Sequence, residues 1–118
     1  MNVKTSFLKN KIYANSPNKN IVPVTTTINN AHKLFIGGCS IEDLVRKYDS
    51  PLYVLDEITL RNSCRAYKKA LEKYYPGPSL PIYASKANSS IFMSNLIASE
   101  GFGLDAVSEG ELLTALKG

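Results

Sequence analysis

Lysine condenses with a carbonyl through its neutral amine, so a lysine on an apolar strand end is a candidate Schiff-base residue. Apolar surroundings favour that form by lowering a lysine's pKa from about 10.4. Lys86 lies in Tyr83-Ala-Ser-Lys-Ala-Asn88 and closes Leu80–Lys86, a run that reads as a strand. Period-two alternation puts Ile82, Ala84 and Lys86 on one face, so Lys86 follows apolar residues to the strand's carboxyl end. No other lysine lies between Lys73 and Lys117. Asp105 falls near the mouth of the next strand, Gly103–Val107, where a carboxylate could orient a cation or a bound polar group. Glu111 has a structural explanation of its own. Ser108-x-x-Glu111 is a capping box, in which both side chains satisfy free N–H groups at a helix start. The cap accounts for both residues without an active site, yet places them at the same sheet edge as Lys86 and Asp105. On position alone, Lys86 is also a strand-capping surface lysine and Asp105 a loop-facing acid.

Other reactive side chains add nothing to this edge. Cys39 and Cys64 stand 25 positions apart with no His or Cys at metal spacing, so no zinc site is expected. Two lone thiols suit a reducing cytoplasm. His32, the single histidine, lies at a boundary in the chain and has no neighbours with which to do chemistry.

The elements that must position Lys86, Asp105 and Glu111 alternate in type. Leu34-Phe-Ile36 is a short strand stopped by Gly37-Gly38. Ser40 caps a helix with Ile41, Leu44, Val45 and Tyr48 on one side and two acids in its first turn. Pro51-Leu-Tyr-Val-Leu55 reads as a buried, parallel-type strand. Asp56 or Thr59 caps a helix to about Tyr75. Leu60, Cys64, Tyr67, Leu71 and Tyr74 form its packed stripe, and Arg61, Arg65, Lys68, Lys69, Glu72 and Lys73 its solvated face. Pro76-Gly77-Pro78 ends it. Ser89 or Ser90 starts a helix through Ser99, with Gly101 just past its end, and the last helix follows Ser108. Strand, helix, strand, helix, strand, helix implies right-handed βαβ units on a parallel sheet. An open doubly wound sheet and part of a (β/α)8 barrel fit this pattern equally well. A whole barrel needs roughly 250 residues, so the barrel reading makes these 118 residues a part of one.

Charge and hydropathy separate a leader from this body. Residues 1–33 carry five lysines and no acid, a charge of +5, while residues 34–118 carry nine Lys/Arg against ten acids, a charge of −1. The overall +4 therefore belongs to the leader, and a body without a positive field is a poor nucleic-acid binder. Residues 1–30 are rich in Asn, Lys and Thr, have no helical or strand period, and are expected to be a disordered tail. Residues 31–50 form a lead-in of strand plus short helix, and residues 51–118 the α/β body. No apolar run approaches the roughly 20 residues that span a bilayer, so no membrane helix is expected. Ile21-Val-Pro-Val24 is too short and too interrupted for a secretory signal, and the absence of arginine argues against a transit peptide.

Four stretches in order and spacing narrow the reading. Gly37-Gly38-Cys39, Ser50-Pro-Leu-Tyr-Val-Leu-Asp-Glu57, Tyr83-Ala-Ser-Lys-Ala-Asn88 and Asp105-Ala-Val-Ser-Glu-Gly-Glu111 resemble the diaminopimelate decarboxylases. These are pyridoxal-phosphate enzymes of the alanine-racemase-like barrel type. The resemblance runs over about residues 32–118. It implies a partial (β/α)8 barrel, ending after about three βα units, with pyridoxal 5'-phosphate as cofactor and no metal. Lys86 would carry the Schiff base. Asp105 and Glu111 match acids that line the family's cofactor pocket, and Asn88 borders it. Ser85 stands where the family usually has valine, and Glu109 where a small residue is common.

The resemblance further implies a cytoplasmic homodimer that converts meso-diaminopimelate to L-lysine and CO2. The family's phosphate loop, ring-stacking histidine, second β-rich domain and partner-reaching cysteine and aspartate would follow residue 118. By itself the chain is then expected to be inactive. Decarboxylation of ornithine or arginine is the nearest alternative. A non-catalytic pyridoxal-phosphate carrier and an inactive interaction fragment are others.

Overall fold

Asn29 closes a turn with its side chain, Oδ1 accepting from the Ala31 and Lys33 N–H groups, each at 3.0 Å. The computed structural model describes residue 18 and residues 20–118. They fall into two units that divide between Leu60 and Arg61. In the first, the Asn29 turn joins β1 (Thr27–Ile28) to β2 (Leu34–Ile36), paired antiparallel with Thr27 opposite Phe35. Gly37 and Gly38 take φ of +58° and +80°, the left-handed pair that a two-residue hairpin turn requires. They return the chain into β3 (Cys39–Ser40), with Phe35 opposite Ser40. Ser40 then caps α1 (Ile41–Tyr48), its hydroxyl accepting from Asp43 N–H at 3.4 Å.

Two expectations fail in this unit. The disordered leader does not extend to residue 30. Thr26 is buried, Thr27–Ile28 is strand, and Gly37 N–H donates to Thr25 Oγ1 at 2.8 Å. Val24 N–H donates to Thr59 Oγ1, also at 2.8 Å. The three consecutive threonines have no apolar period, but the Thr25 hydroxyl takes up the Gly37 N–H and threonine branching suits extended chain. Residues 1–17 and 19 of that leader lie outside the described residues. The second failure is Pro51–Leu55, which forms no strand and leaves Tyr53 98% exposed. Apolar, β-prone composition is not enough, because a strand exists only against a partner edge.

α2 (Glu57–Tyr74) begins at Asp56, whose buried carboxylate accepts from Thr59 N–H at 3.1 Å and from the Thr59 hydroxyl. Its expected stripe is only partly covered. Cys64 is buried, Leu60 and Leu71 are half-buried, and Tyr67 and Tyr74 are exposed. Burial, more than the nearby Glu100 charge, pushes the Cys64 thiol above its ordinary pKa.

The second unit holds the parallel pair. β4 (Ile82–Ala84) runs beside β5 (Gly103–Asp105) in the register Ile82–Gly103, Tyr83–Leu104, Ala84–Asp105. Between them α3 (Ile91–Ser99) buries Met93, Leu96 and Ile97 and packs on β5 and on α4 (Glu109–Lys117). Each such apolar side chain contributes about 1.5–3 kcal/mol when fully buried. α3 ends in two reversed bonds, Gly101 N–H to Ala98 O at 2.9 Å and Phe102 N–H to Ile97 O at 3.1 Å. Gly101 has the φ of +73° that this ending needs. This β4–α3–β5 unit is the βαβ crossover read from the sequence, and the α/β class holds.

The solvated face assigned to α2 needs correction. Arg61 donates to Glu100 at 2.7 Å and to Ser99 Oγ at 2.9 Å, Arg65 grips both Glu100 oxygens, and Lys68 Nζ reaches the Glu100 carbonyl at 3.1 Å. Cations four and three apart on one helix share a face, and here that face holds the end of α3. No helix among the described residues is long and apolar enough to cross a membrane.

Candidate functional site

The parallel register fixes the edge on which the predicted residues meet. Ala84 and Asp105, the last residues of β4 and β5, stand opposite each other. Adjacent strands lie about 4.8 Å apart, so the two chain exits leave side by side. Carboxyl ends of parallel strands are where α/β folds place ligands, since the loops there are free to vary.

Lys86 lies two residues beyond Ala84 but not on the strand. Ser85–Ala87 is a single turn of 3-10 helix, and Lys86 and Ala87 are exposed. The expected alternation through Ile82, Ala84 and Lys86 therefore stops at Ala84, and Ile82 and Ala84 are themselves exposed. The physical reason is compositional. After Ile82 the run holds no further β-branched residue, and the small polar residues that follow favour turns. Ser85 turns inward instead, 1% exposed, and among the described residues its hydroxyl has no partner. Among the described residues, no hydrogen bond or ion pair engages the Lys86 amine.

Asn88 holds this turn against the helix that follows. Its Oδ1 accepts from Ser90 N–H at 3.0 Å, and its carbonyl accepts from the Tyr83 hydroxyl at 3.4 Å. Ser90 then caps α3, its Oγ accepting from Met93 N–H at 3.3 Å. The lysine turn is thus tied to β4 through Tyr83 and to α3 through Asn88. Asn88, read as a pocket border, has a local structural task as well.

Asp105 is exposed at the end of β5, and among the described residues its carboxylate has no partner. Glu111 is half-buried and engaged. Ser108 Oγ accepts from Glu111 N–H at 3.2 Å, and Glu111 Oε2 accepts from Val107 N–H at 2.7 Å. The structure thus brings Lys86, Asn88, Asp105 and Glu111 to one edge of one unit, two of them free and two committed locally. A recess lined by Tyr67, Ala70, Leu71, Tyr74 and Tyr75 includes none of them. Sequence reasoning missed the buried Ser85 and the turn at Lys86. The signal for both was the small polar run from Ser85 to Ser90.

A lysine just beyond one parallel strand and an acid at the neighbouring exit are residue types of the class of α/β site at which an amine can meet a carbonyl-bearing ligand. Comparison with known proteins makes the class specific. Residues 57–118, just over half of the chain, match the family described as "Pyridoxal-dependent decarboxylase, pyridoxal binding domain". The chain belongs to that family.

Among curated relatives, the diaminopimelate decarboxylase of Synechocystis sp. is 48% identical over 101 residues, 86% of this chain and 22% of that one. The diaminopimelate decarboxylase of Methanothermobacter thermautotrophicus is 38% identical over 89 residues, 75% of this chain and 21% of that one. A crystal structure of diaminopimelate decarboxylase from M. jannaschii superposes with a TM-score of 0.70 at 33% identity, over 78% of this chain and 22% of that one. A second structure of it, in complex with L-lysine, gives 0.63 at 32% identity over 77% and 21%. The chain spans about a fifth of the length of the curated relatives it matches. The expected α/β barrel portion agrees with this likeness.

Proposed function

We propose that this chain is the lysine-bearing N-terminal part of a diaminopimelate decarboxylase, which converts meso-diaminopimelate to L-lysine and CO2. The observation that carries the reading is Lys86, exposed and unpartnered at the mouth of β4, with Asp105 in register across from Ala84. The names of the relatives support the substrate, and the L-lysine complex of the M. jannaschii protein supports an amino-acid pocket.

The residues present fit pyridoxal phosphate. An aldehyde needs a reachable amine, and the Lys86 amine is exposed and free of competing bonds. When bound, the cofactor supplies an electron sink for the carbon that loses CO2. Lys86 Nζ would be the group that holds its aldehyde carbon. Asp105, whose carboxylate has no partner among the described residues, would stand at the neighbouring strand exit and orient a cationic group of the cofactor or substrate. Glu111 lines the same edge with the carboxylate oxygen left over from its cap. Asn88 fixes the turn that carries the lysine. The reading extends to a cytoplasmic homodimer, with the phosphate-binding and partner-contributed groups supplied outside these residues.

The test is CO2 release by the complete polypeptide loaded with pyridoxal phosphate. Release from meso-diaminopimelate, with little from ornithine or arginine, is the expected result. Release from ornithine or arginine alone would move the chain to that branch of the family. Bound cofactor with no release from any of the three would make it a carrier.

A further inference from the structure

We infer that Ser108 is a positioning residue for this site, setting where the Glu111 carboxylate stands relative to Asp105 and Lys86. The inference rests on the functional reading above. In the usual capping box the glutamate returns to the N–H of the capping residue itself. Here it reaches one residue further back, and Glu111 Oε2 accepts from Val107 N–H at 2.7 Å. Ser108 Oγ meanwhile accepts from Glu111 N–H at 3.2 Å. The two bonds fasten the glutamate to the segment leaving β5, two residues beyond Asp105, as well as to the start of α4.

That choice of partner matters for chemistry. A glutamate serving only the helix would be free to swing with its first turn. Tied to Val107, the carboxylate keeps a fixed station on the chain exit that stands in register beside the exit leading to Lys86. One oxygen is occupied by Val107, and among the described residues the other has no hydrogen-bond partner. The Ser108 side chain contributes through its hydroxyl, while its carbonyl accepts from Leu112 N–H at 3.0 Å whatever side chain stands there. Removing that hydroxyl frees the Glu111 backbone, and with it the station of the carboxylate.

The experiment uses the complete polypeptide loaded with pyridoxal phosphate, in four forms: unaltered, Ser108→Ala, Ser108→Gly and Ser108→Thr. Glycine removes the hydroxyl at less cost to the helix start than alanine. It therefore serves where alanine unfolds the turn. Borohydride reduction and peptide mapping come first. A label away from Lys86 overturns the functional reading, and the positioning role with it.

With the label on Lys86, three readouts decide the role of Ser108. Alanine and glycine should speed hydrogen exchange at the Val107 and Glu111 amides and shift the pH at which the cofactor's visible band titrates. They should also lower kcat/KM about tenfold, as a displaced site group does. Threonine, which keeps the hydroxyl, should restore all three. Faster exchange with an unshifted titration and unchanged kcat/KM would make Ser108 a helix cap and nothing more, and would overturn the inference alone.

Discussion

Arg65 grips Glu100 with two prongs, Nε to Oε2 at 3.1 Å and Nη2 to Oε1 at 2.8 Å, across 35 residues of chain. Arg61, one turn earlier on α2, adds a third bond at 2.7 Å. The Glu100 side chain is 9% exposed, so this tie is better shielded than most surface pairs.

The ion pair makes the α2–α3 contact acid-sensitive. Hydrogen bonds from Arg65, then Arg61, hold the Glu100 carboxyl below its ordinary range. A depressed acid stabilises the fold above its unfolded value, about 4.3, and that contribution fades as pH falls through the lower folded value. Glu100→Gln in the complete protein should therefore cost about 1–2 kcal/mol at neutral pH, discounted for the exposure of Arg65. Thermal melts from pH 7 to pH 3 would show the variant and the unaltered protein converging in acid. A constant gap between them would contradict this account.

Taken alone, residues 1–118 should not melt cooperatively. Tyr53, Tyr74, Val107 and Leu116 are 98%, 75%, 72% and 77% exposed, and among the described residues β4 and β5 make a two-stranded sheet. Such pairs are marginal in water, and apolar surface on this scale drives association. Light scattering and dye binding on the isolated chain should report aggregation or a loosely packed state. A soluble monomer with a sharp calorimetric transition would count against it.

The sequence carried the local signals of this fold well, and the long-range ones poorly. Ser40 and Ser108 cap the helices they were expected to begin, and of the paired candidates Asp56 and Ser90 do so, because a cap is decided within four residues. The ending at Gly101 was legible for the same reason. Pro51–Leu55 was not, since its pattern states only that the segment is fit for burial and cannot supply the partner edge. Arg61, Arg65 and Lys68 looked like a solvated face until Glu100 arrived from 35 residues away. At the site, position and chemistry marked Lys86 and Asp105, while the turn that exposes the lysine was hidden in a run of small polar residues.

Ser85 offers a separate check on that turn. Its hydroxyl is buried next in sequence to Lys86 with no partner among the described residues, and an unsatisfied buried polar group costs about 1–3 kcal/mol. Ser85→Ala removes the hydroxyl and adds no volume, so it should leave stability unchanged or raise it by up to about 1 kcal/mol. Denaturant unfolding of the complete protein is the measurement. A loss of more than about 1 kcal/mol would mean the hydroxyl has a partner that these residues do not supply.

The central claim is that Lys86 is the amine that holds pyridoxal phosphate. Reduction of the cofactor-loaded complete protein with borohydride, followed by peptide mapping, tests it most directly. The pyridoxyl label should fall on Lys86, and Lys86→Arg, which keeps a positive charge but cannot condense with the aldehyde, should abolish both label and visible absorbance. A label on any other lysine, or an arginine variant that still takes the label and decarboxylates normally, would contradict the account.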